Sequence, residues 1–320
     1  MKRKKCFLLL TALCLVLCAC GFAAGASYPH ADKYTVGNFT YDAAAVDTVE
    51  INWTAGGVEV KESDGSVLNA AEKTEGLTDD QLMRWWLDGK TLRIQYWKSG
   101  YTGTLKNRQK RLTVEIPKDV ALTVNVTSGE VICGNHQLKD VNVTATSGSI
   151  KLGAVNADAI NIQATSGDFE AGPLRAKQQI QMKCTSGKIH VENAMADAVT
   201  LQCTSGDITA GPIDAKEFTV NCTSGDIKLE AVKADDARIK TTSGDIRMGI
   251  YQCGKVNLEC TSGDVTLSPV HGAGMTVDFQ TNSGSLNGKG GQKTYHQVIG
   301  DGASDVTVST TSGNLKLNEQ

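Results

Sequence analysis

"VTLQCTSGDITAGPIDA", residues 199–215, is the stretch whose reading decides the fold. Val199, Leu201 and Cys203 alternate with Thr200, Gln202 and Thr204, the two-residue period of a half-buried strand. Beyond Gly206 the apolar residues resume at Ile208 and Ala210, but their parity has slipped by one. A second slip falls at Gly211–Pro212, before Ile213 and Ala215, and a third precedes Phe218. Each slip marks a corner, where the chain bends without turning its apolar side chains outward.

The same pattern recurs. Counted from the serine of "TSG", copies stand at Ser128, Ser147, Ser166, Ser186, Ser205, Ser224, Ser243 and Ser262, in steps of 19, 19, 20, 19, 19, 19 and 19. Looser copies follow at Ser283 and Ser312, after 21 and 29 residues. Three corners per repeat predict three short strands per rung, with each strand paired in parallel and in register to its copies above and below. The expected fold is therefore all-β, a single-chain parallel β-solenoid (β-helix). Its corners are assigned to Gly129, Gly148, Gly167, Gly187, Gly206, Gly225, Gly244, Gly263, Gly284 and Gly313, each expected at positive φ. The serine is read as inward, its hydroxyl serving corner backbone groups. The cysteine is read as the last inward residue of the longest strand, and the acid of "SGD" as lying just outside the corner.

The flanks carry other information. Lys2, Arg3, Lys4 and Lys5 precede an apolar run from Cys6 to Leu17 too short to span a bilayer comfortably, which reads as an export leader. "LCAC" at 17–20 resembles a bacterial lipobox, which implies cleavage before Cys20 and lipid attachment there; cleavage after Ala26 is the competing reading. Removing the four basic residues takes the formal net charge from −3 to −7, which leaves no electrostatic footprint for nucleic acid. The expected organisation is a lipoprotein signal peptide at 1–19, a tether at 20–44, a β-rich N-terminal cap at 45–118 and solenoid repeats at 119–320. The cap holds all four tryptophans, Trp53, Trp85, Trp86 and Trp97. These are read as closing the open end of the stack, with an exposed glycan-binding cluster as the alternative. "TDDQLMRWWLDG" at 78–89 is read as a short helix with Thr78 as N-cap and Gly89 at its end. "WTAGGVEV" at 53–60 echoes a degenerate repeat, so the solenoid could begin there.

Chemistry is sparse. Stacked in-register neighbours sit about 4.8 Å apart with parallel Cβ vectors, so Cys184, Cys203, Cys222 and Cys260 are expected as buried structural thiols, as are Cys133 and Cys253. The acid column Asp168, Asp207, Asp226, Asp245 and Asp264 is read as capping turns, with a calcium stack as the alternative; Lys188 interrupts it. The five histidines are scattered over different columns, and no phosphate loop, metal-ligand cluster or nucleophile elbow is present. No catalytic residue, metal or cofactor is expected.

The "φxφxxTSGxφxφ" rungs, the entry "LTVEIPKDVALTVNVTSGEV" at 112–131 and the glycine-rich final rung resemble the "putative adhesin" β-strand-repeat family, domains of unknown function in bacterial cell-envelope proteins. The resemblance covers roughly 45–320. It implies surface exposure and adhesion; taken with the lipobox, the expected protein is an adhesin-like binding or scaffold module anchored to the plasma membrane through the lipid on Cys20, with a surface glycan or an envelope protein as partner. An envelope-stress sensor acting through a membrane partner is the alternative, and a polysaccharide-active β-helix enzyme the third reading.

Overall fold

The computed structural model describes residues 27–73, 75–103 and 110–318. The "TSG" serines pair directly from rung to rung, Ser128 with Ser147, Ser147 with Ser166 and onward to Ser243 with Ser262, all in parallel strands. The chain is thus an all-β solenoid. In the rung Ile208–Ser224 the buried side chains are Ile208 and Ala210, then Ile213 and Ala215, then Phe218, Val220 and Cys222. These three inward segments meet their copies above and below to form one continuous apolar core. The single 20-residue step is taken up by a register irregularity between Arg175 and Gln179.

The glycine corner has two physical causes. From Gly129 to Gly263 the eight glycines of the regular repeats have φ between +131° and +146°. A Cβ on any of them would also lie 1.4–2.2 Å from the carbonyl oxygen of the glycine one rung before. Gly284 and Gly313 lack the positive φ assigned to them, yet a Cβ on either would still meet a glycine carbonyl at 2.0 Å. The serine departs from expectation too. Ser205 and its copies are exposed, because the parity slip already falls at the preceding threonine. Their contribution is main-chain: Ser205 O accepts the N–H of Gly187, and Ser224 O that of Gly206.

Both ends stack out of chain order. At the C-terminal end Ser304–Ser312 lies between Ile246–Ser262 and Met275–Ser283, so the chain passes over one rung position and returns to fill it. Thr294–Ile299 covers the outermost rung antiparallel to it. At the N-terminal end Thr48–Ala55 and Gly57–Glu62 stack in parallel on Ala121–Ser128 and Val131–Cys133. Thr91–Gln95 and Arg111–Ile116 stack outside them in turn. The boundary expected at 119 therefore does not mark the start of the stack, which already includes 48–62 and 91–116. Antiparallel strands Arg84–Asp88 and Val67–Lys73 cover that outer rung. Ending a parallel stack in antiparallel strands blunts an edge that would otherwise template further pairing.

The helix expected at 78–89 reduces to one 3-10 turn, Asp79–Gln81, followed by a hairpin of Arg84–Asp88 and Thr91–Gln95 around Gly89 at φ +61°. Gln81 does close the turn, its Oε1 accepting the Thr78 N–H at 3.0 Å. Met83 is fully buried and Trp85 stacks on Phe39 with centroids 4.3 Å apart, so packing over the stack end holds the segment extended. Among the described residues no helix is long and apolar enough to cross a membrane.

Candidate functional site

The second corner of each rung builds a groove. Ala176, Ala196, Ala215, Ala234 and Cys253 occupy one inward column, its last four members paired in register. Their small side chains draw the backbone inward and leave a valley between the two flanking outward columns. One wall runs Met195, Asp214, Lys233, Gln252 in register, with Tyr251 beside its end. The other presents Lys177, Asp197, Lys216, Asp235 and Gly254. The valley encloses about 840 Å³ and is closed at its C-terminal end by Gly274, Asp301 and Ser304.

Its electrostatics are nearly self-cancelling. Lys216 Nζ lies 2.8 Å from Asp197, Lys233 Nζ 3.0 Å from Asp214, and Lys177 Nζ 2.6 Å from Asp158. These pairs are solvent-exposed and contribute little to stability. Their consequence is a wall that presents hydrogen-bonding groups without a strong field of either sign. Two large apolar side chains stand out of it: Met195 is 42% exposed and Tyr251 45%. The Tyr251 ring is held edge-on against His271, centroids 5.7 Å apart.

A second groove, of about 680 Å³, runs along the first corner. Its walls are the exposed threonines 165, 185, 204 and 223 and the column Gln163, Lys183, Gln202, Asn221, Lys240. Its floor is the column Ala145, Ala164, Cys184, Cys203, Cys222. The six cysteines described are buried and unbonded. Those of this column do more than fill space. Cys203 Sγ donates to Gly187 O at 3.1 Å, Cys222 Sγ to Gly206 O at 3.4 Å and Cys260 Sγ to Gly244 O at 3.5 Å. At these three corners the carbonyl is thus met by the next rung's thiol; where threonine replaces cysteine the hydroxyl bonds within its own rung, Thr310 Oγ1 donating to Gly313 O at 3.1 Å and Thr241 Oγ1 to Ser243 O at 3.4 Å. Burial pushes the Cys222 and Cys253 thiols up to about 11 and Cys133 to about 12.

The acid column caps its neighbours across rungs. Asp207 Oδ1 accepts the N–H of Asp226 at 3.2 Å, Asp226 Oδ1 that of Asp245 at 2.9 Å, and Asp245 Oδ1 that of Asp264 at 2.9 Å. Lys188, the interruption, places its ammonium 3.3 Å from Asp207. Cys20 lies outside the described residues. His136 sits in the core with neither ring nitrogen hydrogen-bonded, and desolvation holds it below the usual histidine range. The tryptophans pack at the N-terminal end: Trp53 is 2% exposed, and Trp85, Trp86 and Trp97 are half-buried against Phe39, Tyr34, Tyr96 and Tyr101.

Sequence reasoning missed the alanine groove, although Ala196, Ala215 and Ala234 already repeat every 19 residues. It also missed Lys110. This fully buried lysine places Nζ 2.7 Å from Glu72 Oε2, donates to Gln81 O and Tyr96 O, and faces the rings of Trp53 and Tyr96 at 5.0 and 4.4 Å. The Glu72 contact is an ion pair rather than an aligned hydrogen bond. Burial lowers the Lys110 pKa and Glu72 opposes that shift. A pairing over 38 positions of sequence leaves no periodic trace.

Two overlapping stretches of the chain, residues 46–211 and 173–318, match the family described as Toastrack DUF4097. No curated protein matched. Among solved structures the chain is similar to "a putative adhesin" from Parabacteroides merdae, with 11% identity and a TM-score of 0.45 over 90% of this chain and 97% of that one. It is also similar to a "putative lipid binding protein" from Parabacteroides distasonis, with 14% identity and a TM-score of 0.42 over 88% and 97%. A third, "a putative adhesin" from Bacteroides fragilis, has 12% identity and a TM-score of 0.37 over 89% and 97%.

Proposed function

The chain belongs to the Toastrack DUF4097 family, and from the groove its rungs build we propose that it is a non-catalytic, adhesin-like binding module of the cell envelope whose ligand is a linear, uncharged surface glycan. The observation that carries this reading is the alanine-floored valley. It is open and extended along the solenoid axis, which suits a chain rather than a compact metabolite. Its lysines and aspartates nearly balance, and Lys216 and Lys233 are paired to wall carboxylates, so a polyanion or polycation gains little net attraction. They still offer carboxylates, amides and ammonium groups for hydroxyls, and Tyr251 offers an amphipathic face for a sugar ring. The basic, apolar leader ending in Ala19–Cys20–Gly21 supports export and attachment by a lipid on Cys20 to the outer face of the plasma membrane.

Retention on immobilised neutral envelope polysaccharides tests the reading. The chain is expected to be retained, and Tyr251→Ala is expected to weaken retention about tenfold while leaving the denaturation midpoint unchanged, since an exposed ring contributes little to folding. Equal retention of the two proteins would exclude this groove. Mass spectrometry of the mature N-terminus separately tests the anchor, a chain beginning at Ser27 being the outcome that removes it.

A further inference from the structure

The thiol column is not uniform. Its regular contact runs from the cysteine of one rung to the corner carbonyl of the rung before, as Cys203 makes with Gly187, Cys222 with Gly206 and Cys260 with Gly244. Cys260 reaches its own corner as well, Gly263 O at 3.4 Å; Cys184 is set apart by a neighbouring sulfur. Its Sγ reaches the carbonyl of its own corner, Gly187 O, at 3.5 Å and lies 2.8 Å from Cys203 Sγ. Two unbonded sulfurs ordinarily stand farther apart than that. The two residues are directly paired in register, and an inter-strand spacing of about 4.8 Å lies within the Cα separation of about 4.4–6.8 Å that disulfides span. Parallel Cβ vectors alone argue against a bridge; the converging Sγ atoms overrule that argument at this pair.

We propose that Cys184 and Cys203 are an oxidisable pair, closing to a disulfide that staples two adjacent rungs and reopening to two thiols under a thiol reductant. The oxidant class is a small disulfide. Cys203 thiolate, its proton lost to solvent, attacks one sulfur of the oxidant, and a mixed disulfide forms as the first thiolate departs. Cys184 thiolate then attacks Cys203 Sγ and displaces the second. The pair has given up two electrons, the oxidant has become two thiols, and the protons lost by the two cysteines are taken up by the departing thiolates. The hydrogen bond from Cys184 lowers the pKa of Cys203, which makes Cys203 the first nucleophile. Access is by the open groove whose floor both residues form.

The test uses the full chain, reduced and denatured, then refolded in buffers of 2-mercaptoethanol and 2-hydroxyethyl disulfide, so that burial cannot shield any thiol from the oxidant. Quenching by alkylation and cleavage at lysine and arginine separates the candidates: Cys184 falls in the peptide 184–188, Cys203 in 189–216 and Cys222 in 217–228. The expected result is a 184–188/189–216 cross-link, two hydrogens lighter than the reduced peptides, with a linked-to-free ratio at least about tenfold higher in refolded than in denatured chain. Cys184→Ala is expected to abolish it without transferring the link to Cys222. Full alkylation of Cys184 and Cys203 in every refolding buffer overturns the proposal. So does a 189–216/217–228 link of equal yield, or a ratio that folding leaves unchanged.

Discussion

The middle of the solenoid and its two ends solve the same problem by opposite means. Between Ile189 and Ser262 the recurring contacts run from one rung to the next: serine pairs with serine, acid caps acid, cysteine meets the corner of its predecessor. At the ends there is no copy on one side. There the chain jumps a rung and returns, and covers the last parallel strand with an antiparallel one. The N-terminal end adds contacts found nowhere in the middle, the Lys110–Glu72 pair beneath Trp53 and Tyr96. Repetition therefore specifies the interior, and individually placed side chains specify where the stack stops.

The sharpest way to break this comparison is at the corner. Gly206→Val is expected to cost about 5 kcal/mol or to prevent folding, because the Cβ would stand 2.0 Å from Gly187 O and φ is +135°. Gly313→Val at the C-terminal end faces the same carbonyl contact, with Gly263 O at 2.0 Å, but lacks the positive φ. Its cost is expected to be lower by about 1–2 kcal/mol. Denaturant melts of both variants measure the difference. Equal costs would assign the whole effect to the steric contact and none to backbone conformation.

The second prediction isolates the N-terminal end. Lys110→Met strands the Glu72 carboxylate in a site where its side chain is 3% exposed, and is expected to cost about 3–4 kcal/mol. Lys110→Met combined with Glu72→Leu removes both charges and is expected to recover most of that loss, since buried pairs are often matched by apolar side chains of similar volume. Both variants should retain the parallel-sheet far-ultraviolet signal of the central rungs. A double variant as damaged as the single one would show that Lys110 acts through its bonds to Gln81 O and Tyr96 O instead.

How much of this was legible in the sequence follows the same division. The stack was legible because a strand in register with its own copy writes one period into every column, so Ser205 announces Ser186 and Ser224. The out-of-order rungs at Met275–Ser283 and Ser304–Ser312 were not, because the 21- and 29-residue steps record how much chain intervenes and not which rung it joins. The reading of 78–89 as a helix failed for a related reason. Thr78, Asp79 and Asp80 are sound capping residues, but the helix they would start is outcompeted by burial of Met83 and by pairing of Arg84–Asp88 with Thr91–Gln95. Of the candidate site, the alanine floor was periodic and visible in principle. Tyr251 and Met195 were not, since Met195 occurs once in its column and Tyr251 is an extra residue at a register shift, with no copy one rung away.

The smallest expected effect is at the acid column, and there the C-terminal end supplies its own control. Asn314 stands where the middle rungs carry aspartate. Its Oδ1 accepts the Ser285 N–H at 3.0 Å, just as Asp226 Oδ1 accepts the Asp245 N–H at 2.9 Å. An amide oxygen therefore serves the cap as a carboxylate does. Asp226→Asn keeps that acceptor and removes one of four stacked charges, Asp207, Asp226, Asp245 and Asp264. Neighbouring unit charges at this spacing repel by about 1 kcal/mol in water, and Arg247 offsets part of that from 3.7 and 2.9 Å. The expected change in stability is within about 0.5 kcal/mol of zero, stabilising at low salt and vanishing as salt screens the column. Asp226→Ala, which leaves the Asp245 N–H without its acceptor, is expected to cost about 1 kcal/mol. Denaturant midpoints of the two variants at low and high salt decide between the roles. A loss as large for asparagine as for alanine would mean that the charge itself, and not the acceptor oxygen, holds one rung to the next.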